Sequence, residues 1–283
     1  MASATIKLFL IHGDPKRLRT AEISNWSGKA VAAPRTEFDE FLARDELAQS
    51  GVYILTGADA LSGEPHAYVG EAEVLRDRLK IHKSLDFWVQ ATAFVSKDEN
   101  LTKSHIRYLE GRLIGHAQFA GRTKLTNAQA SGAKLPESDR EDMEVFLTKV
   151  HQLLPVLGSD ILTPVVQPKT PGQKSVLLYC EIKGLRATGE RTPDGFVVFT
   201  GSQAVPTLRA SVEKYPYLGA LREKLLKEGT LQPNGSALVF TKDVQFSSPS
   251  AAAVVIHGGS ANGLIAWRTQ NGTTLKELEG SAT

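Results

Sequence analysis

Five side chains between residues 53 and 110 are of the types that cleave a phosphodiester: Tyr53, Tyr68, Arg78, His82 and Glu110. That reaction needs a group to take a proton from water and a cation to neutralise the charge that builds on the phosphate. As a rule it also needs a metal ion on the attacking or leaving oxygen. A single carboxylate such as Glu110 is enough for Mg2+, which keeps most of its own waters. Arg78 can fork onto phosphate oxygens. His82 follows four residues later, so on a helix the two share a face. The tyrosines are poor bases at an ordinary pKa of about 10, and a nearby cation or metal has to bring that value down. Taken singly, each residue has an ordinary alternative: sheet tyrosines in a half-buried core, a solvated helix arginine, a satisfied histidine. For Glu110 the alternative is a surface ion pair with Arg107 or Arg112.

The elements that must position these residues can be read from the pattern around them. Val52 to Leu55 and Ala67 to Val69 are short apolar runs on either side of a turn-rich connector, Gly57 to Pro65, and predict a hairpin with a long loop. After Gly70 the period becomes helical, with Val74, Leu75, Leu79 and His82 in step. Phe87 to Val95 predicts a third strand. Asp98-Glu99-Asn100 supplies caps for a helix from about Leu101 to Phe119, which carries Glu110 and ends at Gly121. Upstream, Ile6 to Ile11 predicts a strand and Thr36 caps a short helix, whereas residues 16–33 show no period. Downstream, Glu137 opens another amphipathic helix, and three prolines between Leu162 and Gln173 mark a spacer. The expected division is 1–48, a strand and helix packed on the core; 49–158, the core with its trailing helix; 159–173, a linker; and 174–283, a second small α+β domain.

Bulk properties narrow the class. The chain has 283 residues, 41% hydrophobic and 23% charged, with a net charge of +2. No global positive field draws it onto nucleic acid, so any such contact depends on local basic faces. One cysteine, Cys180, excludes a disulfide framework or a thiolate zinc centre within the chain. The apolar run Ile6 to Ile11 is too short for a secretory leader. No run nears the ~20 apolar residues that a membrane-spanning helix needs. The expectation is a cytoplasmic protein with no membrane association.

The order Gly51-Val52-Tyr53, Tyr68-Val69-Gly70, Arg78, His82, Glu110, Asn127 resembles the GIY-YIG nuclease family over roughly residues 49–130. Arg78 stands ten residues after the second tyrosine and His82 four further on, with Glu110 mid-helix after a third strand. Both tripeptides carry Val in place of Ile. The resemblance implies an α+β fold with a small three-stranded antiparallel sheet flanked by helices. It also implies a DNA endonuclease that uses one Mg2+ or Mn2+. Under it, Tyr53 acts as general base or positions the water, and Tyr68 holds the water or the scissile phosphate. Arg78 stabilises the transition state, and His82 moves a proton or contacts phosphate. Glu110 binds the metal, Asn127 supports the site by hydrogen bonds, and Gly70 allows close backbone approach. Lys103, His105 and Arg107 are candidates to line a nucleic-acid groove.

Residues from about 230 to 279 resemble a C-terminal domain of unknown function often attached to such nucleases, through Phe240-Thr241-Lys242-Asp243, the run from Phe246 to Ala253, Trp267 and the ending Asn271-Gly272. The expectation is a module that binds substrate or a protein partner, with Lys242 and Arg268 on phosphate and Trp267 either stacking on bases or lying in the core. The alternative for the whole chain is a nucleic-acid- or protein-binding module that keeps the nuclease fold without cutting.

Overall fold

The computed structural model describes residues 3–127, 132–165, 176–209 and 216–280. The chain divides into two compact units, Met1–Pro164 and Val165–Thr283, both mixed α+β. The division falls inside the expected linker, most of which (166–173) lies outside the described residues. Among the described residues no helix is long and apolar enough to cross a membrane.

In the first unit the three predicted strands are β4 (Gly51–Ala58), β5 (Pro65–Ala72) and β6 (Trp88–Ser96), antiparallel with β4 in the middle. They are the centre of a larger sheet than expected. β1 (Ile6–Leu10), β2 (Arg19–Ile23) and β3 (Gly28–Pro34) extend it beyond β6, and β7 (Lys124–Leu125) runs parallel to β5. The result is seven strands in the order β1-β2-β3-β6-β4-β5-β7. The aperiodic stretch of residues 16–33 holds β2 and all of β3 but Pro34. The central residues of β3, Ala30 to Ala33, are buried on both faces of the sheet, so they show none of the alternation that betrays a half-exposed strand.

Each face of this sheet carries its own core. Val52, Ile54, Ala67, Val69 and Phe94 pack under α3 (Lys103–Ala120) and α4 (Glu137–Leu153), which contribute Ile106, Leu109, Leu113, Phe146 and Val150. Tyr53, Leu55, Ala91 and Ala93 face the other way, with α1 (Phe38–Ala43) and α2 (Leu75–Ile81) supplying Phe38, Phe41, Leu75 and Leu79. α3 starts later than the sequence suggests. Thr102 is its cap, and His105 completes a capping box by accepting from the Thr102 amide while donating its own amide to Thr102 Oγ1.

The described residues of the second unit form two sheets. β8 (Leu178–Ile182), β9 (Leu185–Thr192), β10 (Gly195–Val198), β14 (Val244–Phe246) and β15 (Trp267–Arg268) form one, in the order β14-β10-β9-β8-β15. β11 (Gln203–Ala204), β13 (Ala237–Phe240) and β12 (Leu231–Asn234) form the other. The unit's helices among the described residues are α5 (Pro216–Lys227), α6 (Pro249–His257), α7 (Gly263–Ala266) and α8 (Leu275–Gly280). Ser248 caps α6, accepting from the Ala251 amide, with Pro249 at the first turn as expected. The predicted strand from Leu264 to Trp267 is instead one helical turn that passes into β15. Asn262 caps that turn through the Leu264 amide.

Candidate active site

Strand register sets the first pair. Tyr53 lies opposite Gly70 and Leu55 opposite Tyr68, so the tyrosines are diagonal neighbours on one face of the sheet. Their rings stack with centroids 6.0 Å apart. Gly70 is what makes room, because a Cβ there would collide with the hydroxyl and ring of Tyr53. α2 crosses the same face, held down by Leu75 and Leu79. His82 is its C-terminal cap residue and Arg78 sits one turn earlier.

These four side chains meet. The Tyr53 hydroxyl is 2.6 Å from His82 Nε2, and the His82 ring is 4.5 Å from that of Tyr68. An Arg78 terminal nitrogen donates to the Tyr68 hydroxyl at 3.5 Å, and the same guanidinium bears on the Tyr53 hydroxyl. Trp88 fixes the turn behind them, donating from Nε1 to the His82 carbonyl at 3.0 Å. Sequence reading did not single out Trp88.

The charge states follow from burial. Tyr53 has no exposed surface. Burial, then the neighbouring Tyr68, pushes its pKa well above the ordinary value; Arg78 pulls it down and loses. Arg78 by itself therefore does not make Tyr53 basic, and without a further cation or metal the side chain stays a phenol. Burial, then the charge of Arg78, lowers the pKa of His82. The imidazole is neutral at pH 7, and we assign Nε2 as acceptor of the Tyr53 proton. Burial is the largest single influence on Arg78 and lowers its pKa, but Tyr53 and Tyr68 together outweigh it, and the guanidinium remains charged. Two phenols, a neutral imidazole and one guanidinium make a site with a single positive charge, suited to a phosphodiester anion.

Glu110 stands apart from this face. It is half-buried on the inward stripe of α3, one turn from Ile106 and from Ile114, both fully buried. α3 packs against the opposite face of the sheet. On the side away from β4, β5 is paired by β7 only at His66 and Ala67 among the described residues. Asn127 sits on that edge. Its Oδ1 accepts from the Val69 amide at 3.2 Å and its Nδ2 donates to the Val69 carbonyl, which holds β5 between Tyr68 and Gly70.

The remaining candidates are spread out. Lys103 is exposed and pairs with Glu73 at 2.8 Å. Arg107 is exposed one turn along. His105 has both ring nitrogens engaged, one in the capping box and the other 3.4 Å from Asp139, so its visible work is structural. His66, which reads in sequence as a surface residue, shares the face of Tyr68 because it precedes it by two in β5. Its ring lies edge-on to Phe87, and Nε2 comes within 3.5 Å of Glu64 without forming a hydrogen bond. The period-two series His66, Tyr68, Gly70 was the signal that could have found it. In the second unit Lys242 and Arg268 are exposed. Trp267 is fully buried, with its ring 4.3 Å from Phe196 and its Nε1 donating to the Pro249 carbonyl at 3.0 Å. It is core and does not stack on a ligand.

Residues 178–279 match a domain of unknown function, DUF4357. The match starts at β8 and reaches α8, well beyond the 230–279 segment that the sequence signature suggested. No GIY-YIG family model matches the chain. No curated protein and no solved structure matches either. The DUF4357 region carries Lys242 and Arg268, whereas the tyrosine face lies entirely in the other unit.

Proposed function

We propose that the first unit hydrolyses phosphodiester bonds in nucleic acid, with DNA as the first substrate to test and a divalent metal as cofactor. The observation that supports this best is the meeting of Tyr53, Tyr68, Arg78 and His82 on one sheet face, in the order and spacing of the GIY-YIG family. In this reading Arg78 takes the non-bridging oxygens of the phosphate and neutralises the charge that develops there. The Tyr68 hydroxyl, on the solvent side, orients the phosphate or the attacking water. Tyr53 and His82 are the inner pair. The phenol takes a proton from water while passing its own to His82 Nε2, so no free phenolate is needed.

The resemblance assigns the metal to Glu110, although α3 carries that carboxylate over the sheet face opposite the tyrosines. Mg2+ or Mn2+ held by one carboxylate and several waters would supply charge stabilisation to the attacking or leaving oxygen. The one cluster of three possible ligands among the described residues, His12, Glu37 and Glu40, is elsewhere in the unit. Its groups are already engaged: Arg17 and the Leu18 amide hold Glu37, and His12 pairs with Glu40.

One observation favours a second reading, a binding module that does not cut: Tyr53 has no exposed surface. Metal dependence separates the two. Full-length protein incubated with plasmid, duplex and single-stranded DNA is expected to cleave at least one of them with Mg2+ or Mn2+ and none in EDTA. Glu110→Ala is expected to lose at least 100-fold. Cleavage unchanged in EDTA or by Glu110→Ala removes the metal assignment, and inertness toward every substrate favours the binding module.

A further inference from the structure

We propose that the outward face of the five-stranded sheet in the second unit is a single-stranded nucleic-acid site that takes one unpaired base and its phosphate. The proposal rests on observations in this unit alone and does not require that the first unit cuts.

Register makes the face. Tyr179 lies opposite Thr188 on one side and Arg268 on the other, and Glu181 lies opposite Arg186. The intervening residues Cys180, Ala187 and Trp267 are fully buried, so Tyr179, Glu181, Arg186 and Arg268 all project outward. Arg186 lies over the Tyr179 ring with its Cζ 4.0 Å from the centroid, so the guanidinium covers that ring face and its own outer side is the surface a base can meet. Beside it is a cavity of about 260 Å³ lined by Tyr179, Glu181, Arg186, Arg268, Thr269 and Gln270, among others. Thr269 is in the lining, with its Oγ1 buried away from the surface and without a hydrogen-bond partner, so it meets a ligand only by turning toward the cavity. A buried hydroxyl without a partner is costly unless a ligand or water meets it.

The chemistry selects the occupant. Arg186 is beside Glu181 and Arg268 is within the field of Glu277; of the two guanidinium groups, Arg268, exposed on the short edge strand β15, is placed for a phosphate. Glu181 is 3.5 Å from Arg186, which leaves a carboxylate oxygen able to accept from the amino edge of a base. Thr269 and Gln270 add further donors and acceptors. A flat π-surface next to a polar cavity suits an unpaired base, because a duplex buries its ring faces in its own stack. Trp267, which could have stacked or lain in the core, is core; Tyr179 is the ring on the outward face.

The test is fluorescence anisotropy of the full chain with labelled 15-mer DNA, single-stranded and duplex, in EDTA so that nothing is cut. Single strands are expected to bind at least tenfold tighter than duplex of the same sequence. Tyr179→Ala is expected to weaken binding about tenfold, Tyr179→Phe to preserve it, and Arg268→Ala to weaken it and flatten its salt dependence. Should Tyr179→Ala fail to fold, Tyr179→Phe and Arg268→Glu carry the same test. Equal affinity for duplex, loss with Tyr179→Phe, binding untouched by Arg268→Glu, or equally good competition by an acidic peptide overturns the proposal.

Discussion

Arg78→Ala is expected to reduce DNA cleavage by about 10²–10³-fold, the usual cost of removing one donor aimed at developing charge, while leaving the fold intact. Arg78 is exposed on α2, which is anchored by Leu75 and Leu79, and alanine is a good helix residue. The melting temperature is therefore expected to stay within a degree or two of wild type. Arg78→Lys is not expected to rescue the loss, because one ammonium cannot fork onto a phosphate. The substitution also has a signature independent of activity. The charge of Arg78 helps hold His82 below its ordinary value, so the His82 titration followed by NMR is expected to move up in Arg78→Ala. A variant that cleaves at the wild-type rate would take Arg78 out of the chemistry. A variant that loses activity with His82 unmoved would show that the two side chains do not meet.

Gly70→Ala is expected to damage stability and activity together. The added methyl would fall on the hydroxyl and ring of Tyr53, which is fully buried with no free space to retreat into. Overpacking of this kind costs about 1–3 kcal/mol, which lowers the melting temperature by several degrees. Tyr53 can yield only by leaving His82, so cleavage is expected to fall by at least tenfold even at temperatures where the protein is folded. Tyr53→Leu removes the atoms that clash. The double variant Gly70→Ala/Tyr53→Leu is therefore expected to be more stable than the sum of the two single variants by about 1 kcal/mol or more, the coupling expected of residues in contact. Strict additivity, or a Gly70→Ala protein with wild-type stability and activity, contradicts the contact.

The local signals in the central segment translate into structure where one physical cause dominates. The hairpin of β4 and β5 follows from two apolar runs around a turn-rich loop, and strand periodicity then puts Tyr53 and Tyr68 on one face without further information. Helical periodicity likewise places Arg78 and His82 together on α2. The extent of the sheet was not legible. β3 is buried on both faces, and a run of alanine and valine looks alike in a strand, a helix or a loop until its neighbours are known. Nor does periodicity within α3 reveal which face of the sheet that helix covers; this is set by the cores it joins, and it puts α3 on the face opposite the tyrosines. The protonation of Tyr53 was equally hidden, since Arg78 argues for a lowered pKa and only the depth of burial decides against it. In the second unit, Trp267 and Tyr179 exchange the roles their types suggest, because alternation along β15 and β8 sends one inward and the other out.

The central claim is that the Tyr68–Arg78 face in the first unit cuts phosphodiesters. Its most direct measurement is the single-turnover cleavage rate of the best DNA substrate in Mg2+, for wild type against Tyr68→Phe. That substitution removes one half-buried hydroxyl, 3.5 Å from Arg78, and leaves the ring stack in place. The prediction is a wild type that cleaves and a Tyr68→Phe protein that melts normally but cleaves at least tenfold more slowly. Equal rates for the two proteins would contradict it.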